Sequence, residues 1–464
     1  MTIVYRVTDG TTTVELSDQS DTSLAYIDEY APASGYDPDP ETGLVTESSR
    51  IVFKNTSLAN VVGETRTLKQ LLSQAAAWEK DRSGAQVFAK FQPDSTLTLM
   101  RAPLRIPPNS RVVGSVQEDR KTTLHNGIVT YRLETDIVLT HSVWEADSEI
   151  AVPLLSFATS PKTANPVTIH NHTDSGHGHY VDIAAADVIG DCKVPLRLVI
   201  VNTTASNQDS IVYVAHQWRG VPASIPSVLE GESATNVYGF TITPTVDATC
   251  SNGNYGAWVW AVDGWVTAKW ALSAAQVQAL AGGKARFLAR FKTLPASGIL
   301  STVNLHLPGN TTAYHPQPAE QWTTLSTTHY LQDLGSLSIP PSLAGVSSLG
   351  ALDLTLSFQI TGGSTIDLDF LALIPCDSFR CLKAVTTGAV NTDTIMIDDI
   401  AGEQYIQAAG GTRTGQLVST GTPIMLMPGK RQFLYFLFEN NVPGMEIDRS
   451  HTIQAWYRPR RMTI

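Results

Sequence analysis

The sequence predicts a mainly β protein, and three observations carry that reading. Only 16% of the 464 residues are charged, against roughly 25% in an ordinary soluble domain. Thr, Ser and Gly stand in for the missing charges, whereas long solvated helices need Glu and Lys on their outer faces. From residue 150 onward, short runs of β-branched and aromatic residues recur between turn residues, the pattern of sandwiches and barrels. The chain is 42% apolar, enough for large cores, and it exceeds the roughly 250 to 300 residues at which single cores stop growing. Two to four domains are expected.

The first elements follow from local chemistry. Residues 2–7 and 12–16 flank Asp9-Gly10, a turn pair, and predict a hairpin. Residues 17–48 form an acidic arm punctuated by Pro32, Gly35, Pro38, Pro40 and Gly43. Within it, Asp37-x-Asp39-x-Glu41 alternates carboxylates but lacks the glycine and terminal glutamate of a calcium loop. A helix is expected over 67–82, from a Thr67/Gln70 capping box, a Leu68, Leu71, Leu72 and Ala75 stripe, and Gly84 as stop. Such a stripe must be covered, and the strands expected at 50–54, 86–90, 96–101 and 136–140 are its natural cover. Residues 1–150 are therefore read as one helix-bearing β domain.

Residues 151–376 read as a β-sandwich, with strands at 196–202, 210–215, 285–291, 354–360 and 366–370, the last two alternating across Thr361-Gly362-Gly363-Ser364. An excursion over 221–284 carries Trp258, Trp260, Trp265 and Trp270 and a short helix opened by a Ser273/Gln276 capping box. It is expected to be an insertion at one end of the sandwich. Residues 377–464, with strands at 432–439 and 452–458, complete one of the two domains.

Charge and cysteine content exclude several classes. The net charge is −11. Residues 1–50 hold ten acids against Arg6 and Arg50, while Arg458, Arg460 and Arg461 crowd the other end. Asp37, Asp39 and Glu41 meeting those arginines across a subunit interface is one reading, and solubility at both ends is the other. No basic, aromatic-laced face points to nucleic acid, and no apolar stretch is long enough to insert in a membrane. The N-terminus lacks an export-signal pattern. Cys192, Cys250, Cys376 and Cys381 are too sparse for a disulfide scaffold. Free thiols are expected, with a Cys376 to Cys381 bridge as the alternative.

Chemistry-bearing motifs are few. No nucleophile elbow, zincin, phosphate-loop or dinucleotide fingerprint occurs, so no enzyme and no cofactor are expected. The densest candidate is His170-Asn-His172-Thr-Asp174-Ser-Gly-His177-Gly-His179. On a hairpin turning at Asp174-Ser175-Gly176, alternate imidazoles would share a face and could hold a divalent metal. The competing reading is a polar hairpin whose imidazoles bond to backbone. Tyr255, Trp258, Trp260 and Trp265 are candidate glycan contacts, because aromatic rings stack on sugar faces, and core packing explains them equally well. Asp367 and Asp369 share a strand face and read as solvated.

The order of pieces resembles the distal tail proteins of long-tailed bacteriophages and related prophage tail-tip proteins. The resemblance runs through the helix at 67–82 and Asp136-Ile-Val-Leu-Thr-His-Ser-Val-Trp144-Glu145. It continues in Asn171-His172-x-Asp174 followed by Gly190-Asp191, in Leu371-Ala-Leu-Ile374-Pro375, in Met427-Pro428-Gly429 and in Tyr457-Arg458-Pro459-Arg460. It implies a helix-bearing β-sandwich ring domain and a lectin-like sandwich, of jelly-roll or galectin type, with an insertion. It also implies a structural virion protein at the tail tip or baseplate, made in the host cytoplasm. Expected partners are further copies of itself in a ring, usually of six, the tail tube protein, and a hub, fibre or receptor-binding protein. The alternative is a glycan-binding protein that recognises host surface carbohydrate.

Overall fold

A computed structural model describes residues 4–16, 25–30, 45–92, 97–105, 117–120, 129–141, 143–156, 163–164, 166–170, 179–203, 209–218, 228–238, 240–260, 264–306, 322–341, 352–360, 364–385, 388–439 and 450–462. The fold is mainly β, with several sheets, one of them nearly closed. The chain divides into two compact units. One comprises Met1–Ile150, Ile189–Lys193 and Arg458–Ile464, the other Ala151–Val188 and Val194–Tyr457.

In the first unit the expected hairpin pairs Val4–Thr8 with Thr13–Glu15. Asp9 accepts the Thr11 and Thr12 amides across its turn at 2.9 and 2.7 Å. This hairpin forms one edge of a six-stranded sheet that continues through Phe88–Gln92, Met100–Pro103, Trp144–Ala146 and Arg460–Arg461. A four-stranded sheet holds Ala25–Tyr30, Val45–Asn55, Val129–His141 and Gln117–Arg120. The helix is longer than expected, Leu58–Asp81, with Ser57 at its N-cap. Thr67 therefore lies inside it, where its hydroxyl bonds to the Gly63 carbonyl at 3.1 Å. Arg82, in the left-handed region, closes the helix by donating its amide to the Trp78 carbonyl. The stripe is Val61, Leu68, Leu71 and Ala75, buried among Tyr5, Val7, Ile51, Phe53 and Leu133. It lies in a sheet-covered core, as the spacing predicts.

The second unit contains two layered bodies. A sheet of fourteen strands among the described residues curls almost into a barrel. Val152 helps bring its ends together by donating its amide to the Ala455 carbonyl at 2.9 Å. The interior is filled by side chains such as Leu154, Val181, Leu198, Val214, Ile397, Phe436 and Ile453. Residues 377–457 contribute to this sheet, and Arg458 onward joins the first unit. The strands Gln432–Glu439 and Ser450–Tyr457 do not pair with each other. The former runs beside Ile211–Gln217 and Tyr180–Ile183, the latter beside Val194–Asn202.

The insertion is larger than the expected 221–284. Ile211–Gln217 pairs directly with Ser378–Ala384, so the whole of 218–377 is interposed within one hairpin. The described part of that segment is a complete β-sandwich. One sheet orders Thr241–Val246, Asn254–Trp260, Ser364–Pro375, Lys284–Phe291 and Leu331–Ser338, with Val228–Glu230 also against Ser364–Pro375. The other orders Thr235–Tyr238, Gly264–Leu272, Leu352–Ile360, Leu300–His306 and Thr323–Thr324. The strands on either side of residues 361–363 therefore lie in opposite sheets and are not a hairpin. Both carry an apolar face, Leu352, Leu354, Leu356 and Phe358 in one and Ile366 and Leu368 in the other, and both faces fill one core. The helix Ala274–Leu280 opens with the predicted reciprocal cap between Ser273 and Gln276.

Sandwich and barrel share an apolar seam. Leu288, Leu331, Phe370, Ala372 and Ile374 meet Ile211, Tyr213, Phe433, Tyr435 and Leu437. The buried Glu439 accepts the amide of Tyr330 at 2.7 Å and that of Leu331. Leu68→Ala is expected to cost the first unit about 3 kcal/mol, the usual penalty for emptying a fully buried leucine site, measured by urea unfolding. Glu439→Ala orphans two amides and is expected to cost about 2 to 3 kcal/mol. A midpoint within error of the parent for either variant contradicts the packing described.

Candidate functional site

The tryptophan cluster separates into core and surface. Trp258 is 0% exposed and Trp260 4%, so neither contacts a glycan. The Trp258 ring packs on Phe240 and Phe358 at centroid distances of 4.9 and 5.5 Å, and its indole donates to the Gly231 carbonyl at 3.4 Å. Alternation explains this: Trp258 and Trp260 point inward along Asn254–Trp260, which leaves half-buried Tyr255 and exposed Val259 on the outer side. Trp265 differs. It lies on the outer face of the opposite sheet, is 47% exposed, and meets Trp322 edge to face at 4.2 Å.

Trp265 and Trp322 stand at one end of a polar sheet face. On Leu352–Ile360 the leucines and Phe358 point into the core, so Asp353, Thr355, Ser357 and Gln359 lie on the opposite side. Pairing aligns Thr267, Ser357 and Thr302 in one row and Lys269, Thr355 and Asn304 in the next. Ala271, Asp353 and His306 form a third row, and Trp265, Gln359 and Leu300 a fourth. Thr267 and Ser357 hydroxyls bond at 2.8 Å, and Lys269 bridges to Asp353 at 2.8 Å. Sequence reading missed Trp322, Asn304 and His306. The Thr302-x-Asn304-x-His306 alternation beside inward Val303 and Leu305 was the available signal.

A second polar cluster occupies the other sheet. Asp369, expected on a solvated face, is fully buried and paired with Arg290. The cause is a β-bulge: Phe291 pairs with Leu368 and Arg290 with Phe370, so Asp369 is the extra residue. It accepts the Ser251 amide at 2.7 Å. Ser251 in turn donates its hydroxyl to Glu230 at 2.8 Å, and the second Glu230 oxygen is buried with no described hydrogen-bond partner. Burial pushes the Glu230 carboxyl up to about 7, and it raises Glu232 as well. Hydrogen bonds from Lys292 and Thr249 hold Asp247 down at about 2. Burial drives the Cys250 thiol up to about 12.

The histidine cluster does not form the predicted two-armed hairpin. Val167–His170 pairs with Ser450–Tyr457, whereas Tyr180–Ile183 pairs with Gln432–Glu439. Each arm finds a longer partner strand, so His170 and the strand that follows His179 belong to different ladders. His179 is fully buried, its ring against Tyr180 and Tyr435. His172, Asp174 and His177 lie outside the described residues. Among the described residues no three His, Cys, Asp or Glu side chains are grouped to hold a metal.

Asp37, Asp39 and Glu41 also lie outside the described residues. Of the arginines read as reaching a neighbouring subunit, two are engaged within their own unit. Arg458 pairs with Glu149 at 3.5 Å and Arg460 with Glu145 at 3.3 Å, because Arg460–Arg461 adds as a strand to Trp144–Ala146. Arg461 is exposed. All four cysteines are free, including Cys376 and Cys381. On the barrel, an open cavity of about 610 Å³ lies along Glu403–Gln407 and Arg413–Gly421. There Arg413 covers the Tyr405 ring at 3.8 Å and pairs with Glu403 at 2.7 Å.

The class these features define is a mainly β, multi-sheet protein with a barrel-borne sandwich. No family model matches the chain, and no curated protein matches it.

Between its ordinary value of 4.5 and its folded value of about 7, Glu230 keeps a proton that the unfolded chain releases. Stability is therefore expected to fall as pH rises through that window. Glu230→Gln removes the larger part of the dependence, leaving that of Glu232, and stabilises the protein at pH 8 by on the order of 2 kcal/mol. Melting temperatures from pH 5 to 8 measure this, and parallel pH profiles for the parent and the variant would contradict it.

Proposed function

We propose that this protein is a structural component of a phage tail tip, forming a ring that joins the tail tube to fibre or receptor-binding parts. The resemblance in the order of short motifs supports this reading, and one structural observation carries it furthest. The helix-bearing unit is built from three separate stretches of the chain, Met1–Ile150, Ile189–Lys193 and Arg458–Ile464. The second unit, Ala151–Val188 with Val194–Tyr457, is therefore spliced between segments of the first, which suits a division of labour between docking and recognition.

The strongly negative first fifty residues and the exposed Arg461 offer opposite charges to neighbouring copies. A head-to-tail interface whose rotation closes leaves no edge unpaired, which is the logic of a ring around a tube. Sizing with light scattering, and negative-stain images of the protein mixed with tail tubes, test the proposal. Closed rings, six-membered in the expected case, support it. Monomers at high concentration that also fail to decorate tubes would sink it.

A further inference from the structure

We propose that the outward face of the sandwich sheet containing Gly264–Leu272, Leu352–Ile360 and Leu300–His306 binds a neutral glycan, gripped at one end by Trp265 and Trp322. This is a recognition function beyond the structural role, and it stands on the placement of side chains rather than on that reading. A tryptophan nearly half exposed on a sheet face leaves apolar area in water. Trp322 is set edge to face against it, with the ring centroids 4.2 Å apart. An aromatic face beside hydrogen-bonding groups is the chemistry that holds a pyranose, which has an apolar C–H face and a rim of hydroxyls.

The remainder of the face supplies partners for that rim. Thr267, Asn304 and Gln359 are partly exposed in adjacent rows and offer hydroxyl and amide groups that both donate and accept. Thr302, Thr355 and Ser357 are nearly buried between them and form a polar floor. From the Trp265 row to the Ala271 row the strand advances six residues, about 20 Å. That length fits a short oligosaccharide rather than a single ring. The electrostatics select a neutral ligand. Lys269 is neutralised by Asp353 at 2.8 Å, and apart from the His306 imidazole beside that pair the remaining polar groups of these rows are uncharged hydroxyls and amides. A protein partner is disfavoured by composition, since only Trp265 and its neighbours at one end supply apolar contact and the rest of the face is polar.

The test uses the full chain and short oligomers of glucose, galactose, mannose and N-acetylglucosamine, with saturation-transfer NMR to detect binding and calorimetry to measure it. At least one oligomer is expected to bind, and 1 M salt leaves its affinity intact. Trp265→Ala weakens it by about tenfold or more, and Asn304→Ala weakens it too. Tyr405→Ala, on the barrel, leaves it unchanged. Trp265 is exposed, so an unchanged melting temperature verifies that the variant folds. The inference is overturned if no oligomer binds, if binding survives the Trp265→Ala/Trp322→Ala double variant, or if salt abolishes it. It is also overturned if the tryptophan variants alter only the oligomer mass in light scattering, which would make the face a protein contact.

Discussion

The second unit depends on strands that are buried on both faces. Gln432–Glu439 is buried at every position. Leu434, Phe436 and Phe438 fill the barrel, while Phe433, Tyr435 and Leu437 turn outward against the sandwich. Ile211–Gln217 repeats this, with Val212 and Val214 inward and Tyr213 and Ala215 outward. A sandwich spliced into a hairpin would otherwise hang on two chain crossings. The shared apolar seam makes it part of one body, and Glu439 adds direction because a buried carboxylate holding two amides fixes the approach of a specific strand.

The sandwich makes its half of the seam by changing phase. Along Ser364–Pro375, Ile366 and Leu368 point into the sandwich core, but so do Leu371 and Leu373. The extra residue is Asp369, and the bulge turns Phe370, Ala372 and Ile374 outward toward the barrel. The change of phase places a carboxylate in the interior, where Arg290 neutralises it and Ser251 binds it. Glu230 is buried beside the same turn without a cation of its own, which is why its carboxyl retains its proton near neutrality.

The first unit rests on a simpler contact. One stripe of a 24-residue helix, Leu58–Asp81, packs on the inner residues of Val45–Asn55 and Val129–His141. The chain's C-terminal arginines complete this unit as strand and salt-bridge partners, so charges that look like an intermolecular lure in sequence mainly serve an intramolecular edge.

Local and periodic features were legible in the sequence. The mainly β class, the Asp9-Gly10 hairpin, the stripe through Leu68 and Leu71, and the Ser273/Gln276 cap are all written within a few residues. Pairing partners were not legible, because alternation marks which face of a strand is apolar but not which strand lies beside it. Thus 354–360 and 366–370 read as a hairpin yet lie in opposite sheets, and the strand ending at His170 and the one following His179 separate into different ladders. Only the tertiary structure decided that Trp258 and Trp260 are core while Trp265 faces water. The same aromatic alternation serves either side of a sheet, and its sense is set by the layer that packs against it.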